Sequence, residues 1–341
     1  MIAYAIIAEE KIDPSTALFL EMRDYVSRRE IDYLTYPKHW TTHFLRPSLF
    51  RRHRFQAVRK EVATFFSGYQ FEDAMWYFPH ALKNYVPVFL NAGLGSRFSI
   101  MEEGKSHYIF RASENDAIRN DPLNLQVLKR AFAKLRYKVN LGSKSRHIPA
   151  DYISPFAEIF YAFDRRAFAS VPDNKLHLLE IKTAFAQMYR LVDSSDARDV
   201  LLPLDKLEWL EPHAREEYFG ILKALFKTVD TRNPDQIIVK KHPKDPSITE
   251  EYLRQGLDFL PQEKVHFLAN TEAMEEWFLR RPNGLIVTGV TSLVLYAKLM
   301  GLDVISIVKP MKRMHLIRSQ KTTQDVLDLV ETFGIKTFDT K

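Results

Sequence analysis

A lysine pair and a histidine follow a short apolar run in the segment Ile237-Ile-Val-Lys-Lys-His-Pro243. The apolar run predicts a buried strand, and ligands of open α/β sheets bind beyond the carboxyl ends of the strands. Ammonium groups and a titratable imidazole there suit a phosphate-bearing ligand whose leaving group needs a proton. Pro243 lacks an N–H and ends the ladder, which predicts that His242 lies at the strand mouth. Alternatively, His242 is only a structural residue of a turn.

Two carboxylates precede a glycine at Glu102-Glu103-Gly104, directly after the strand-like residues 98–101. Glycine permits a tight turn, and a carboxylate in a cleft could take a proton from an attacking hydroxyl as general base. Adjacent side chains on extended backbone point to opposite faces, so we expect only one of Glu102 and Glu103 to reach a reacting atom. A charged surface turn is the other interpretation.

A glycine and two hydroxyl residues lie between an apolar strand and an apolar helix in Thr288-Gly289-Val290-Thr291-Ser292. Hydroxyls and free backbone N–H groups at the start of a helix form an anion site, assisted by the helix dipole. Simple helix capping explains the same residues without a ligand.

A fourth candidate is Glu272, which follows the strand-like residues 265–268 and begins a predicted helix. A carboxylate at such a junction commonly accepts hydrogen bonds from ribose hydroxyls. Alternatively, its negative charge only interacts favourably with the positive end of the helix dipole.

The elements that would position these residues alternate along the second half of the chain. Predicted strands lie at 200–204, 236–241, 265–268, 284–288 and 304–307, and predicted helices at 211–229, 249–256, 272–280 (capped by Asn270 or Thr271), 291–300 and 323–333. Strands separated by helices imply a parallel, doubly wound sheet.

The first half has a similar but less regular pattern. Predicted strands lie at 2–8, 32–36, 74–78, 86–90 and 98–101, predicted helices at 14–28, 54–67 and 124–137, and a helical or irregular bridge at 156–192. The fold class is therefore α/β, and two Rossmann-like doubly wound halves with a central cleft suggest the GT-B architecture. We expect an acceptor-side domain at 1–175, a nucleotide-sugar domain at 176–322, and a C-terminal helix within 323–341 that packs back on the first domain.

Composition excludes several kinds of site. The 341 residues contain no cysteine, which excludes disulfides, thiolate metal sites and cysteine nucleophiles. No Asp-x-Asp pair, metal-type histidine spacing or Walker-type glycine loop is present. A bound nucleotide would therefore have its phosphate held by lysine, hydroxyls and backbone, so we expect no obligatory metal and no other cofactor.

The net charge of +6 is concentrated in basic clusters, one of which contains Arg51, Arg52 and Arg54. Such clusters favour polyanions, either an anionic membrane surface or an acidic glycan acceptor, although they also occur as solvated helix faces. No nucleic-acid module accompanies them, so nucleic acid is not an expected partner. The N-terminus lacks a basic region and is too short to span a bilayer, which predicts a cytoplasmic protein, with peripheral association at the inner membrane face as an option.

Together, these motifs resemble those of the bacterial sialyltransferases. An acidic-acidic-Gly motif, a His-Pro motif and a paired Ser/Thr motif occur in the same order, with His242 139 positions after Glu103 and Ser292 50 positions after His242. The spacing is most similar to that of the polysialyltransferases and related capsule or lipooligosaccharide sialyltransferases. The third motif departs from many members by having Thr291-Ser292 in place of Ser-Ser, which preserves the hydroxyls.

The resemblance implies metal-independent, inverting transfer of sialic acid from CMP-sialic acid to a hydroxyl of a bacterial surface glycan. Glu103 or Glu102 would be the base, with the second acid preferred, and His242 would protonate the departing CMP. Thr291 and Ser292 would hold its phosphate and Glu272 its ribose, with the CMP-binding region also including Lys241, Pro243 and Gly289. A transferase for another CMP- or NDP-activated sugar such as CMP-Kdo, or a non-catalytic polyanion-binding protein, are the alternatives.

Overall fold

The computed structural model describes residues 2–21, 32–35, 52–69, 74–79, 97–102, 104, 107–108, 157–189, 197–210, 212–228, 234–242, 245, 247–269, 272–317 and 319–339. Contacts divide the chain into two compact units, as expected for a length that exceeds a single comfortable core. The first unit comprises Met1–Glu103 with Phe110–Leu179, and the second comprises Gly104–Ile109 with Glu180–Lys341. The predicted boundary after residue 175 lies close to this division.

The first unit contains two parallel sheets among its described residues. Its elements are α1 (Ile2–Glu9), β1 (Leu18–Glu21), β2 (Asp32–Thr35), α2 (Arg52–Phe65), β3 (Met75–Phe78), β4 (Arg97–Met101), β5 (Phe160–Ala162) and β6 (Leu176–Leu178). Strands β1 and β2 pair with each other, and the other four pair in the order β3-β4-β5-β6. Side chains of β4 and β5 are buried towards both faces, as central parallel strands require.

Two predicted elements of the first half are wrong, and a third is wrong in part. Residues 2–8, predicted as a strand, form a helix in which Ile2, Ala5 and Ile6 are buried, a spacing that places them on one helical face. The predicted helix at 14–28 contains strand β1. The predicted helical or irregular stretch at 156–192 contains β5 and β6 as well as the helix Ile181–Tyr189. The predicted elements at 86–90 and 124–137 lie outside the described residues.

Six described strands form the sheet of the second unit. They are β7 (Val200–Pro203), β8 (Ile237–Lys240), β9 (Val265–Phe267), β10 (Leu285–Thr288), β11 (Asp303–Ser306) and β12 (Lys336–Thr337). All neighbours are parallel, in the order β12-β11-β10-β7-β8-β9. The chain runs outward from β7 to β9 and then outward from β10 to β12. This is the Rossmann order, so the strand order reverses between β7 and β10.

The helices of the second unit connect these strands. They are α3 (Ile181–Tyr189), α4 (Pro212–Thr228), α5 (Glu250–Gly256), α6 (Met274–Arg280), α7 (Leu293–Leu299), α8 (Val308–Arg313) and α9 (Gln320–Thr332). Strands β7 and β8 are buried along their whole length. The predicted α/β class with parallel sheets is confirmed. Helix α9 packs on α7 and α8, and its predicted packing on the first domain stays a prediction.

Candidate functional site

The candidate site lies at the carboxyl edge of the second unit's sheet, where the strand order reverses. Pro203 of β7 pairs with Lys240 of β8, and the register of β10 with β7 sets Thr288 level with Pro203. The ends of β8 and β10 are therefore two strand spacings apart, about 10 Å. The Lys-His-Pro and Thr-Ser motifs follow these two strand ends directly, so the fold brings both motifs to one edge.

The two lysines at the end of β8 are directed to different neighbours, as alternation predicts. The Lys240 ammonium is buried and donates to the carbonyl of Ala269, whereas Lys241 Nζ donates to the carbonyl of Ile248 at 2.8 Å. Burial lowers the pKa of Lys240, although Glu272 and Glu275 act in the opposite direction. An ammonium has three donors, so Lys241 keeps capacity for a ligand.

The backbone after β8 is held by a buried aspartate that the motifs do not include. Asp245 is 1% exposed, and its N–H donates to the carbonyl of His242 at 3.0 Å. Its carboxylate Oδ2 accepts from the N–H of Leu207, which follows β7, at 2.6 Å. The His242 loop is therefore anchored to the segment beyond the neighbouring strand. Pro243 lies outside the described residues.

Glu272 closes a turn beyond β9. Its carboxylate accepts from the N–H of Ala269 at 2.9 Å, and its own N–H donates to the Ala269 carbonyl at 3.1 Å. The carboxylate is partly exposed and keeps acceptor capacity for ribose hydroxyls. The predicted caps Asn270 and Thr271 lie outside the described residues, and helix α6 begins after Ala273.

The Thr-Ser pair lies immediately before α7. Thr291 Oγ1 accepts from the N–H of Leu293, the first residue of α7, at 3.3 Å, which is a local bond between a hydroxyl and the backbone two residues on. Ser292 occupies the N-cap without a side-chain capping bond. Because the threonine oxygen accepts from the backbone, its hydroxyl hydrogen is directed to other acceptors.

Gly289 lies against a second buried aspartate outside the motifs. A Cβ at Gly289 would lie 1.9 Å from Oδ2 of Asp205 and 2.8 Å from Sδ of Met311. Asp205 is 2% exposed, and its Oδ1 accepts from the N–H of Val290 at 2.8 Å. The turn after β10 is thus fixed by the carboxylate that follows β7.

The glycine of the acidic motif also belongs to the second unit. Gly104 has a φ of +52°, which glycine adopts without strain. A Cβ there would lie 3.5 Å from the Tyr296 hydroxyl and 3.7 Å from Cβ of Ser292. The structure thereby places one residue of the acidic-acidic-Gly motif beside the Thr-Ser motif.

The first acid of that motif is a buried strand-end residue. Glu102 is 2% exposed, its Oε2 accepts from the N–H of Phe163 at 2.9 Å, and its N–H donates to the Tyr161 carbonyl at 2.9 Å. These bonds tie the end of β4 to the end of β5. Glu103 lies outside the described residues.

The candidate basic surface is described only in its backbone. Arg52 and Arg54 lie in the first turn of α2, and Arg51 lies outside the described residues. Among the described helices, none has both the length and the apolar character needed to cross a bilayer. Membrane association stays a prediction.

Comparisons with known proteins establish the fold. A solved α/β-galactoside α-2,3-sialyltransferase from Photobacterium phosphoreum is similar over 98% of this chain and 94% of its own, with a TM-score of 0.55 and 10% identity. The chain has the GT-B fold. A Listeria monocytogenes protein to which UDP-N-acetylglucosamine 2-epimerase activity is attributed matches over 97% and 84%, with a TM-score of 0.49 and 14% identity. No family model matches the chain, and no curated protein matches it.

Asp205 and Asp245 are the two site residues that sequence reasoning missed. Each is a single carboxylate without a motif, although Asp205 stands two residues beyond a strand, where ligand-site residues of α/β sheets collect. The position of Asp205 shortly after the end of a predicted strand was the signal that could have identified it.

Proposed function

We propose that this protein is an inverting, metal-independent glycosyltransferase that moves sialic acid from CMP-sialic acid to a hydroxyl of a bacterial surface glycan. The observation that carries the proposal is the meeting of the His242 loop and the Thr291–Ser292 loop at the carboxyl edge of one Rossmann-like sheet. The GT-B fold, which the Photobacterium sialyltransferase shares, supports it.

The chemistry requires stabilisation of a departing phosphate monoester. The acceptor hydroxyl attacks the anomeric carbon of sialic acid, and the bond from that carbon to the CMP phosphate oxygen breaks with its electron pair. Catalysis therefore needs donors at the phosphate oxygens and an acid that protonates the leaving group. In the proposal, His242 is that acid, and the hydroxyls of Thr291 and Ser292 hold the phosphate.

Four further residues complete the proposed donor site. Lys241 adds positive charge near the phosphate, and Glu272 accepts hydrogen bonds from the cytidine ribose. Gly289 lets the turn after β10 lie against the sheet edge, because a side chain there would collide with its neighbours. Pro243 ends the segment that carries His242.

Glu103 is the proposed base, which takes the proton of the acceptor hydroxyl. Glu102 is less suited, because its carboxylate is buried and accepts from the backbone N–H of Phe163. Because side chains alternate on extended backbone, we expect the next side chain to point to the opposite face, which favours Glu103 as the base. The basic residues Arg51, Arg52 and Arg54 are proposed to bind an anionic membrane surface or an acidic acceptor chain.

Ligand-induced thermal shifts test the donor. CMP should raise the melting temperature, and UDP and GDP should do so much less, because only a ligand that binds the native state stabilises it. Stabilisation by UDP or GDP instead would indicate another activated sugar. Absence of stabilisation by any of the three nucleotides would favour a non-catalytic polyanion-binding protein.

Release of CMP from CMP-sialic acid, measured with galactoside and sialoside acceptors and with EDTA present, tests the reaction. His242→Ala should lower kcat by about 10²- to 10⁴-fold, the usual contribution of a general acid. His213→Ala is the matched control, because His213 is exposed on α4. Equal rates for the two variants would exclude His242 as the acid, and loss of activity in EDTA would exclude metal independence.

A further inference from the structure

The hydrogen bond between Asp205 and Val290 crosses the point at which the strand order of the second unit reverses. Asp205 follows β7 and Val290 follows β10, the two strands on either side of the reversal. In open α/β sheets, ligands bind beyond the carboxyl ends of the strands at such a point. The bond therefore fixes the backbone on which the proposed phosphate-binding residues lie.

Asp205 is buried, and a buried carboxylate must be hydrogen-bonded to be tolerated. Its Oδ1 accepts from the N–H of Val290, and the hydroxyl of Tyr218 lies beside its carboxylate. The N–H of Asp205 donates to the same hydroxyl oxygen at 3.3 Å. Burial and the adjacent carboxylate raise the pKa of Tyr218, so the hydroxyl keeps its proton and remains a donor.

Electrostatic attraction to a bound phosphate does not explain the position of the Asp205 carboxylate. A negative group close to the edge where a phosphate would bind repels that phosphate, and the low dielectric of the interior strengthens the repulsion. The position is explained by geometry instead, because the carboxylate holds the turn after β10 through the N–H of Val290.

Gly289 shows how closely the carboxylate and the turn are fitted. Its φ lies outside the left-handed region, so the backbone does not require glycine. The available space does require glycine, because an added Cβ would lie 1.9 Å from Oδ2 of Asp205. Gly289 and Asp205 are therefore one packed unit, although they are distant in sequence.

We propose that Asp205 is a positioning residue that holds the Gly289–Val290 turn so that Thr291 and Ser292 meet the donor phosphate. The inference deepens the proposed function and rests on it. It assigns Asp205 no contact with substrate, since its carboxylate acts through the backbone of the turn.

Calorimetric titration with CMP tests the proposal, with the melting temperature recorded for each variant. Asp205→Ala should weaken CMP binding about tenfold or more, because small displacements of binding groups have effects of this size or greater. Asp205→Asn keeps the volume and an acceptor for Val290, so it should restore most of the affinity. Affinity equal to wild type in Asp205→Ala would overturn the proposal, as would equal losses in the alanine and asparagine variants.

Asp199→Ala is the matched control. Asp199 is 1% exposed, accepts from the N–H of Gln236 at 3.0 Å and pairs with Arg281, but it precedes β7 at the opposite edge of the same sheet. Its loss should lower the melting temperature and leave the CMP affinity unchanged. An equal loss of CMP affinity in both alanine variants would mean that Asp205 acts only through general stability.

A double substitution tests the packing directly. Gly289→Ala should weaken CMP binding, because the new methyl group collides with the Asp205 carboxylate. In Gly289→Ala with Asp205→Ala, the collision with the carboxylate is gone and only the close approach to Met311 Sδ at 2.8 Å remains, so the double variant should lose less CMP affinity than the sum of the two single losses. Additive losses would overturn the packed arrangement.

The failures of the two proposals are distinguishable. Wild-type protein that binds no CMP would overturn the proposed function and this inference together. If wild-type protein binds CMP and Asp205→Ala binds it equally tightly, only this inference would be overturned. If Asp205→Ala does not fold, Tyr218→Phe takes its place, because it removes the hydroxyl that accepts from the Asp205 N–H and lies beside the carboxylate. Unchanged CMP affinity in this variant would count against the role.

Discussion

The carbonyl of His242 accepts a hydrogen bond from the N–H of Asp245 at 3.0 Å, and the carboxylate of Asp245 is bound in turn by the N–H of Leu207. The proposed acid thus lies on a loop whose course is set from the segment beyond β7. The same segment carries Asp205, which holds the turn after β10. The residues that follow the central strand β7 therefore hold both loops of the proposed site in place.

Asp245→Ala should lower kcat for CMP release more than it raises the KM for the donor. Removal of the carboxylate leaves the buried N–H of Leu207 without this acceptor, at a cost of about 1–3 kcal/mol, and allows the His242 loop to shift. Steady-state kinetics with CMP-sialic acid provide the measurement. Asp199→Ala is the control at the opposite sheet edge, and an equal fall of kcat in both variants would contradict a specific link to His242.

Glu102 and Glu103 should respond differently to substitution. Glu103→Ala should lower the initial rate by about 10²- to 10⁴-fold with little change in melting temperature, because it removes the proposed base. Glu102→Ala should lower the melting temperature, since the Phe163 N–H loses its acceptor. Glu102→Gln keeps an acceptor and should recover most of that stability. Equal, mild losses of rate in the two alanine variants would refute the base assignment.

The second unit was predicted well because its strands are apolar runs separated by helix-length segments. The run Ile237-Ile-Val, for example, is buried on both faces, as is typical of a central parallel strand. Residues 2–8 have a similar apolar content but form α1, because burial of Ile2, Ala5 and Ile6 follows the helical period. A short apolar run alone does not separate the two structures.

The motifs supplied the candidate site residues, and Asp205 and Asp245, which lie outside the motifs, were missed. Asp205 and Val290 are 85 positions apart, and a bond between them exists only because β7 and β10 are neighbours in the sheet. Strand order across the reversal is a property of tertiary packing and is not encoded by local spacing. For the same reason, the contact of Gly104 with Ser292 was not predicted.

Glu272 should discriminate between ribose and deoxyribose in the bound nucleotide. Wild-type protein should bind CMP more tightly than dCMP, because a carboxylate at this junction accepts hydrogen bonds from ribose hydroxyls. Glu272→Ala should reduce that preference to near unity in competition titrations. The control is Glu263→Ala, which removes an exposed carboxylate at the opposite end of β9 and should preserve the preference. An unchanged preference in Glu272→Ala would exclude this role.

Glu275 should make the stability of the protein depend on pH. Desolvation of this partly exposed residue raises the pKa of its carboxyl above the ordinary value of 4.5, although its own backbone N–H and Lys240 oppose the shift. Between the ordinary and the raised pKa, the folded state binds more protons than the unfolded state, so this contribution to stability falls as the pH rises. Above that window the ionised carboxylate destabilises the fold.

Glu275→Gln should therefore raise the melting temperature at pH 8, and the gain should shrink as the pH falls towards 4.5, because glutamine stays neutral throughout. Melting curves over this pH range provide the measurement. Glu251→Gln in α5 is the control, because Glu251 is exposed and its replacement should leave the pH profile unaltered. A melting temperature of Glu275→Gln below that of wild type at pH 8 would show that the attraction between Glu275 and Lys240 outweighs the burial of the carboxylate.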